Sequence, residues 1–315
     1  MLMLAAYAFA ANATILLEVL KIRNYTWQII GVVGSLLCLA LFIHEPSFPT
    51  PDKLIIFLAF VFMIFKQAVP MLKRLLPFVG LLFVYESFRS VADRLNSHVN
   101  YSLAPSIDKA LFGNLPTHTL QRLWWHGHVQ WYDFVFYIPY MLFFALPVAL
   151  ALLVWKTREQ YYWRVVGTYL GLFFAGFATF LAFPAAPPWL AAEHYYIQPI
   201  ARVSSYVWAA LGIQNFPSVY NRVSPNAVAA LPSLHAACAT LFFLFIYKLY
   251  GWRWGLVAAI YPLLIYVGVV YQGEHYAFDV IVGIGYAVAA YLLMPMVGHY
   301  LRRAARRIGF TQIKL

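Results

Sequence analysis

Nine apolar segments, each about as long as a bilayer is thick, decide what this chain can fold into. A hydrocarbon core of about 30 Å requires roughly 20 mainly apolar residues in one helix. Hydrophobic residues make up 63% of the 315 residues and charged residues 10%, against about 45–50% and about 25% in soluble domains. We therefore predict an all-α, polytopic membrane protein. The predicted spans are 2–20, 27–44, 54–71, 75–92, 132–154, 163–183, 234–250, 254–272 and 279–299.

The distribution of basic residues predicts how these spans are oriented. With the C-terminal tail in the cytoplasm, fifteen of the 22 Lys and Arg residues fall on the cytoplasmic side, as the positive-inside rule requires. Segment 2–20 is then expected to remain as a span with its N-terminus outside, and two long loops, roughly 93–131 and 184–233, lie on the outer face. The net charge of +11 is spread along the ends of the apolar segments, so we expect the bilayer, and no nucleic acid, as a partner.

Residues 106–123, within the first of these loops, alternate apolar and polar side chains. This pattern is typical of a helix that lies on a membrane surface. We predict one such helix on the outer face, where it would help to shape a lateral entrance for lipids.

Three ionisable residues lie at the predicted outer ends of the last three spans: His235, His275 and Asp279. His275 and Asp279 are four residues apart and would share one face of a helix. A carboxylate there can accept a hydrogen bond from one imidazole nitrogen, which fixes the tautomer and leaves the other nitrogen as a nucleophile. His235 emerges on the same side and can serve as general acid and base. Ionisable groups at membrane depth are costly and often functional, so these three form the candidate catalytic set.

The two histidine segments resemble the motifs of the type 2 phosphatidic acid phosphatase superfamily. They read Pro232-Ser233-Leu234-His235 and, with the second histidine forty residues after the first, His275-Tyr276-Ala277-Phe278-Asp279. Within that superfamily the chain is most similar to the inositolphosphotransferase branch, the aureobasidin-resistance or inositol phosphorylceramide synthase-like proteins. The other segments that carry this similarity are Asp108 to Leu120 (with Leu111-Phe112-Gly113 and Leu115-Pro116-Thr117), Phe183-Pro184, Pro187-Pro188-Trp189 and Ala229-Ala230-Leu231.

The resemblance has consequences for organisation and mechanism. It implies a six-helix catalytic core, here 75–299, with added transmembrane helices in 1–74 and a basic cytoplasmic tail in 300–315. It also implies that His275 forms a phosphohistidine, that Asp279 orients it and that His235 is the general acid and base. The reaction of such a protein needs no metal and no other cofactor.

Two phosphate-binding cations of typical lipid phosphatases are missing from this sequence. Their Ser-Arg pair, seven and six residues before the second histidine, is replaced by Gly268 and Val269, and Pro187-Pro188-Trp189 stands without a basic residue near the place of their Lys…Arg-Pro motif. Charge-assisted contacts to an anion are strong. Their loss should weaken the binding of a dianionic phosphomonoester more than that of a singly charged phosphodiester, so we expect a lipid phosphodiester as substrate.

Another cation must then neutralise the transition state. The first candidate is Arg222, because it precedes His235 by thirteen residues in the same predicted outer loop. Glu274, beside the second histidine, is a candidate for binding a sugar hydroxyl. The complete predicted substrate-binding set is Arg222, Ser233, Glu274, Trp189 and Arg202, with Arg122 as a further candidate cation.

The sequence thus predicts a membrane lipid phosphotransferase that moves a phospho-headgroup from a phospholipid to a lipid hydroxyl through a phosphohistidine, like inositol phosphorylceramide synthase. With water as acceptor, the same site would make a metal-independent lipid or polyprenyl phosphate phosphatase. A transporter is disfavoured because the ionisable residues cluster at one interface, and an inactive lipid-binding protein because the three candidate catalytic residues are intact. The site is expected on the extracytoplasmic or Golgi-lumenal face. The sequence leaves the headgroup, the acceptor and the oligomeric state open.

Overall fold

The computed structural model describes residues 25–44, 51–212 and 226–307. These ranges are helical apart from loops and two isolated β-bridges, which confirms the predicted all-α class. Predicted span 2–20, Arg222 and the last residues of the basic tail lie outside the described residues. The helices are α1 Thr26–His44, α2 Pro51–Ile64, α3 Ala68–Leu95, α4 Leu103–Phe112, α5 Pro116–Trp124, α6 Trp131–Met141, α7 Ala145–Thr157, α8 Tyr162–Ala182, α9 Pro188–Glu193, α10 Val203–Ala210, α11 Leu234–Tyr250, α12 Trp252–Tyr271 and α13 Ala277–Arg307.

The lengths of these helices confirm a multi-pass integral membrane protein. Within the described ranges, five helices are long and apolar enough to cross a bilayer, and the bent pair α6–α7 makes a sixth. Two further apolar helices are shorter: α2 has 14 residues and α11 has 17. A helix rises 1.5 Å per residue, so α2 falls well short of the hydrocarbon thickness, and α11 lies at the lower limit for a span.

The third predicted span, 54–71, is wrong, because α2 ends at Ile64. Lys66 has a left-handed φ of 57°, its N–H donates to the Met63 carbonyl, and the Gln67 N–H donates to the Phe62 carbonyl. This pair of bonds around one left-handed residue is the Schellman arrangement that ends a helix. The polar Lys-Gln pair interrupts the apolar run at this point, and α3 begins immediately afterwards at Ala68.

The fifth predicted span, 132–154, is divided into α6 and α7, whose axes differ by 58°. Pro147 lies in the first turn of α7 and has no N–H to donate to the carbonyl of Phe143, so an unbroken helix would lose that hydrogen bond and clash with the proline ring. The chain accordingly leaves the helical path between Met141 and Ala145. The bend brings Tyr140 and Phe143 to the site described below.

The described chain divides into two compact units, residues 25–44 with 55–73, and residues 51–54 with 74–307. In the first unit, α1 approaches α2 closely at two glycines. A Cβ on Gly34 would lie 2.3 Å from the Phe60 ring, and one on Gly31 would lie 2.7 Å from the Phe60 carbonyl oxygen. The Gln28 side chain also donates to the Ile64 carbonyl at 3.2 Å, which satisfies an orphan acceptor at the end of α2.

In the second unit, α11 packs against both α12 and α13, α8 packs against α13, and α6 packs against α12. Helix α13 approaches the beginning of α11 closely at Gly283, where a Cβ would lie 2.3 Å from the Ser233 carbonyl oxygen. Ser233 is the N-cap of α11, and its Oγ accepts from the Ala236 N–H at 3.3 Å. The beginning of α11 therefore lies directly against the first turns of α13.

The two long loops carry short helices. The surface helix predicted for 106–123 forms as two helices, α4 and α5. The break follows Phe112, because Gly113 takes a left-handed φ of 75° and its N–H closes α4 on the Lys109 carbonyl. Pro116 then provides the first residue of α5, a position where its missing N–H has no consequence.

Backbone hydrogen bonds hold three loop segments side by side. Ala185 lies between the other two, with the bridge Asn100–Ala185 on one side and Ala185–Ala229 on the other, both parallel. The Ala185 N–H donates to the Val228 carbonyl at 2.9 Å, and the Ala230 N–H donates to the Ala185 carbonyl at 3.2 Å. This short ladder fixes the position of Ala230, whose carbonyl contacts the candidate site.

Candidate active site

Two histidines from different segments meet in the second unit. His235 is the second residue of α11, and His275 lies in the turn between α12 and α13. His275 Nε2 and His235 Nδ1 are 3.4 Å apart, and the ring centroids are separated by 5.6 Å. The structure thus brings together the two histidines that the sequence analysis paired, although they are forty positions apart.

The surroundings of His275 select its tautomer. Its Nδ1 lies 3.0 Å from the Ala230 carbonyl oxygen, which can only accept a hydrogen bond. Nδ1 therefore carries the proton, and in the neutral ring Nε2 carries the lone pair. His275 is only 6% exposed, and its Nε2 faces His235. A buried imidazole with this tautomer has its nucleophilic nitrogen directed at the second histidine.

The acceptor of the Nδ1 proton differs from the one expected from the sequence. We predicted Asp279, but its nearer oxygen, Oδ2, lies 3.7 Å from Nδ1, and the Ala230 carbonyl is closer. Residues four apart share a face only within one continuous helix, whereas α13 begins only at Ala277. Asp279 Oδ2 instead accepts from the Tyr276 N–H at 2.9 Å. Asp279 is fully buried, and its carboxylate lies beside His275 at a distance too long for a direct hydrogen bond.

A tight turn after α12 fixes the position of His275. The Glu274 and His275 N–H groups both donate to the Val269 carbonyl, at 3.0 and 3.1 Å, and Gly273 has a left-handed φ of 77°. Gly268 packs against Phe136, which would lie 3.2 Å from an added Cβ, and Val269 is fully buried. The positions that carry Ser-Arg in typical lipid phosphatases are thus both buried in the helix bundle.

Aromatic rings surround His235. The Tyr140 ring stacks on it at 4.4 Å between centroids and 15° between planes, and the Phe143 ring contacts it at 4.4 Å with a 38° tilt. Tyr140 lies in the last turn of α6, and Phe143 lies in the bend that follows it. They hold the plane of the imidazole, whose Nδ1 lies towards His275.

A second polar cluster adjoins the histidines. Arg202 Nε donates to Glu274 Oε1 at 2.8 Å, and its NH2 group donates to Oε2 at 3.3 Å. Ser204 Oγ also bonds to Glu274, and the Arg202 guanidinium lies 4.1 Å from the centroid of the Trp189 ring. Burial lowers the pKa of Arg202, but the charge and hydrogen bonds of Glu274, with smaller contributions from Tyr140 and Glu193, together raise it, so this pKa lies above its ordinary value. Arg202 is therefore a permanent cation, 41% exposed at its side chain.

A cavity of about 420 Å³ lies at this cluster. Its walls include Tyr137, Tyr140, Arg202, Ser204 and Glu274. Tyr140 belongs both to this wall and to the stack on His235, and the Tyr137 hydroxyl is buried without a hydrogen-bond partner among the described residues. The cavity thus has a polar wall at Arg202, Ser204 and Glu274, and the Tyr140 ring lies between it and His235. Its size suits a headgroup.

The predicted substrate-binding residues do not all lie in one place. Three of the set, Arg202, Glu274 and Trp189, form one cluster. Ser233 is fully buried as the N-cap of α11, and its N–H donates to the Asp279 carbonyl at 3.0 Å, so the structure gives it a capping role that the sequence analysis did not assign. Arg122 is exposed on α5, and the position of Arg222 lies outside the described residues.

Several residues that build the site were not predicted from the sequence. Gln121 on α5 donates to the carbonyls of Ala201 and Tyr271 and accepts from the Ala201 N–H, so one buried side chain ties the Arg202 segment to the end of α12. Tyr140 and Ser204 lacked any signal in the sequence because an aromatic or hydroxyl residue in an apolar run is ordinary. Across the described ranges, no group of three or more His, Cys, Asp or Glu side chains is arranged to hold a metal ion.

The fold and the site define an all-α integral membrane protein with paired histidines and a buried carboxylate at the ends of three helices. The sequence matches the PAP2 superfamily, the type 2 phosphatidic acid phosphatases, over residues 106–293. This match covers more than half of the chain and includes both histidines and Asp279. The chain belongs to the PAP2 superfamily, as its motifs predicted.

Within the superfamily, the chain is similar to a curated protein. The chain is 32% identical over 165 residues to the phosphoinositol dihydroceramide synthase of Bacteroides thetaiotaomicron. The alignment covers 49% of this chain and 53% of that protein, so the chain spans about half the length of the relative. The name of the relative agrees with the inositolphosphotransferase branch predicted from the sequence. No solved structure matches the chain.

Proposed function

We propose that this protein is a lipid phosphotransferase that transfers a phospho-headgroup from a phospholipid to a lipid hydroxyl through a phosphohistidine at His275. One observation carries this proposal. The Nδ1 proton of His275 is donated to the Ala230 carbonyl, so the Nε2 lone pair is available, 3.4 Å from His235. By analogy with the synthase of Bacteroides thetaiotaomicron, the transferred group is phosphoinositol and the acceptor a ceramide-like lipid.

The proposed reaction has two steps. In the first, His275 Nε2 attacks the donor phosphorus, the phosphorus–oxygen bond to diacylglycerol breaks, and protonated His235 gives its proton to the departing alkoxide. In the second, neutral His235 takes the proton of the acceptor hydroxyl, whose oxygen attacks phosphorus and releases His275. Each cycle returns both histidines to their starting state. The phosphoryl group replaces the direct contact between the rings, with its oxygens between the two nitrogens.

The roles of the surrounding residues follow from their charges. Asp279 offsets the positive charge that His275 gains in the covalent intermediate. Arg202, permanently charged beside Glu274, is the cation of the described site best placed to balance the phosphoryl oxygens, and Arg222 remains a second candidate. The catalytic core comprises 75–299, and the positive-inside count supports an active site on the outer face with a cytoplasmic tail.

The proposal is tested with full-length protein in detergent and EDTA, supplied with two labelled donors in parallel. The first is phosphatidylinositol with a ceramide or diacylglycerol acceptor, and the second is a phosphomonoester, phosphatidate or polyprenyl phosphate. We expect label from the phosphodiester in a new lipid, without free phosphate. Free phosphate from the monoester, with no lipid product from the diester, would instead identify a phosphatase that uses the same site.

The Arg202–Glu274 pair yields a prediction on substrate binding. Glu274→Gln keeps the shape of the side chain but weakens its charge-assisted bonds to Arg202 and Ser204. Because bonds to charged groups contribute about 1.5–3 kcal/mol, we expect kcat/KM for the phosphodiester donor to fall by about 10- to 100-fold. Initial rates over a range of donor concentrations measure this change.

The matched control is another arginine–glutamate pair, Arg74–Glu159. The side chain of Glu159 is 58% exposed, and exposed ion pairs contribute only about 0–1 kcal/mol. Glu159→Gln is therefore expected to leave kcat/KM unchanged. Equal effects of the two substitutions would exclude a binding role for the Arg202–Glu274 cluster.

A further inference from the structure

Helix α13, which follows His275 and carries Asp279, begins in an unusual way. The first N–H groups of a helix have no partner within it and need acceptors from elsewhere. Asp, Asn, Ser or Thr at the preceding position usually supplies one. Here that position holds Tyr276, whose ring cannot reach back to accept from the first turn. Another part of the chain must therefore provide the acceptors.

Asp108, on α4, supplies them from 169 positions away in the sequence. Its Oδ2 accepts from the Ala277 N–H at 3.0 Å, and its Oδ1 accepts from the Phe278 N–H at 2.8 Å. The side chain is fully buried. A carboxylate at this end of a helix is also favoured by the helix dipole. Each oxygen of Asp108 thus accepts from one of the first two N–H groups of α13.

Asp279 completes the arrangement from the other side, because it accepts from the Tyr276 N–H. Three successive N–H groups, those of residues 276–278, are therefore held by two carboxylates. The segment connects His275 directly to Asp279. Any displacement of the helix start would change both the position of the Nε2 atom of His275 and the distance between its ring and Asp279.

We propose that Asp108 is a positioning residue for the phosphotransfer site: it fixes where α13 begins and so holds Asp279 and His275 in register with His235. This inference rests on the proposed function, because it assumes that His275 and Asp279 carry out the chemistry. Asp108 itself contacts neither histidine in a hydrogen bond and acts through the backbone of α13.

The electrostatics of Asp108 separate this role from a purely stabilising one. Burial raises its pKa to about 6, although the N–H groups of Phe278 and Ala277 lower it, and the nearby Asp279 raises it further. For an acid whose pKa is higher in the folded state, the stabilising contribution is complete below its unfolded pKa of 3.8 and is lost as pH rises through about 6. At neutral pH the ionised carboxylate therefore costs stability while it holds the helix start.

The test compares Asp108→Asn with wild type in the full-length protein. Asn keeps the shape and one acceptor oxygen but places an NH2 group against the second backbone N–H. Because a shift of about 1 Å at a reacting group costs up to about 100-fold, we expect kcat to fall by about 10- to 100-fold with KM little changed. We also expect the difference in melting temperature, Asp108→Asn minus wild type, to be larger at pH 7.5 than at pH 5. The Asp108 carboxyl ionises between these pH values, and the Asn amide does not.

A control variant on the same helix separates the effect of Asp108 from a general effect on α4. Lys109→Gln alters the exposed neighbour on the same helix and should leave kcat unchanged. If kcat is unchanged, or if the melting temperature of Asp108→Asn relative to wild type is no higher at pH 7.5 than at pH 5, the positioning role is excluded. Should Asp108→Asn fold poorly, Asp108→Ala is compared with wild type per folded molecule after size exclusion. If wild type releases phosphate from the monoester and transfers nothing, the proposed function fails, and the same kcat comparison on the monoester still tests Asp108.

Discussion

The variant His275→Asn is expected to lose all turnover and all covalent phosphate, while the protein remains folded. The Asn amide can take the place of Nδ1 and donate to the Ala230 carbonyl, which lies 3.0 Å from that nitrogen in the structure. It offers no lone pair at the position of Nε2, so the phosphorus has no nucleophile. Acid-quenched protein, after exposure to a phospholipid labelled at phosphorus, should carry label in wild type and none in the variant.

His235→Asn separates the nucleophile from the general acid. General acid–base catalysis typically contributes about 10²- to 10⁴-fold, so turnover of phosphatidylinositol should fall by that factor. A phosphodiester with a nitrophenolate leaving group needs no protonation of that group. With this donor, His235→Asn should recover a rapid first release of nitrophenol, whereas His275→Asn should stay inactive. Recovery by His275→Asn, or label that persists in it, would rule out the phosphohistidine.

Gly283→Ala is predicted to cause a further large loss of activity, at a residue outside the catalytic set. The added Cβ would lie 2.3 Å from the carbonyl oxygen of Ser233, and this neighbour is backbone that cannot rotate away. Helices α11 and α13 must therefore separate, which moves His235 away from His275 and Asp279. We expect kcat to fall by about 100-fold or more and the free energy of unfolding to fall by about 1–3 kcal/mol.

Gly285→Ala provides the matched control two residues further along the same helix. A Cβ at this position meets no atom within 4 Å, and alanine favours a helix over glycine by about 0.8–1 kcal/mol. Activity should be unchanged and the melting temperature equal or higher. If Gly283→Ala kept wild-type activity in the same membranes, the close approach of α11 and α13 would be irrelevant to catalysis.

The sequence predicted most spans well because the lengths of apolar segments are a local property. Predicted span 254–272 agrees with α12 to within two residues at each end. Predicted span 279–299 begins two residues after the start of α13. The predictions fail where a local turn or a proline ends a helix within an apolar segment. The left-handed turn at Lys66 ends α2 inside an otherwise apolar stretch, and Pro147 divides a predicted span.

The catalytic residues of the candidate site could be predicted from the sequence, but their contacts could not. The motifs singled out His235, His275 and Asp279, and the structure brings all three together. The Ala230 carbonyl could not be predicted, because every residue has a carbonyl and only the fold decides which one reaches Nδ1. Asp108 could not be assigned either, since its partners are backbone N–H groups far away in the sequence.

The Ala230 carbonyl has an evolutionary consequence. A tautomer held by a side chain can be lost through a single codon change, but every amino acid has a main-chain oxygen at this place. Mutation at position 230 therefore leaves the proton of His275 where it is, as long as the ladder through Ala185 keeps its path. The path of the backbone therefore determines which nitrogen of His275 is the nucleophile, and substitutions of the Ala230 side chain do not change it.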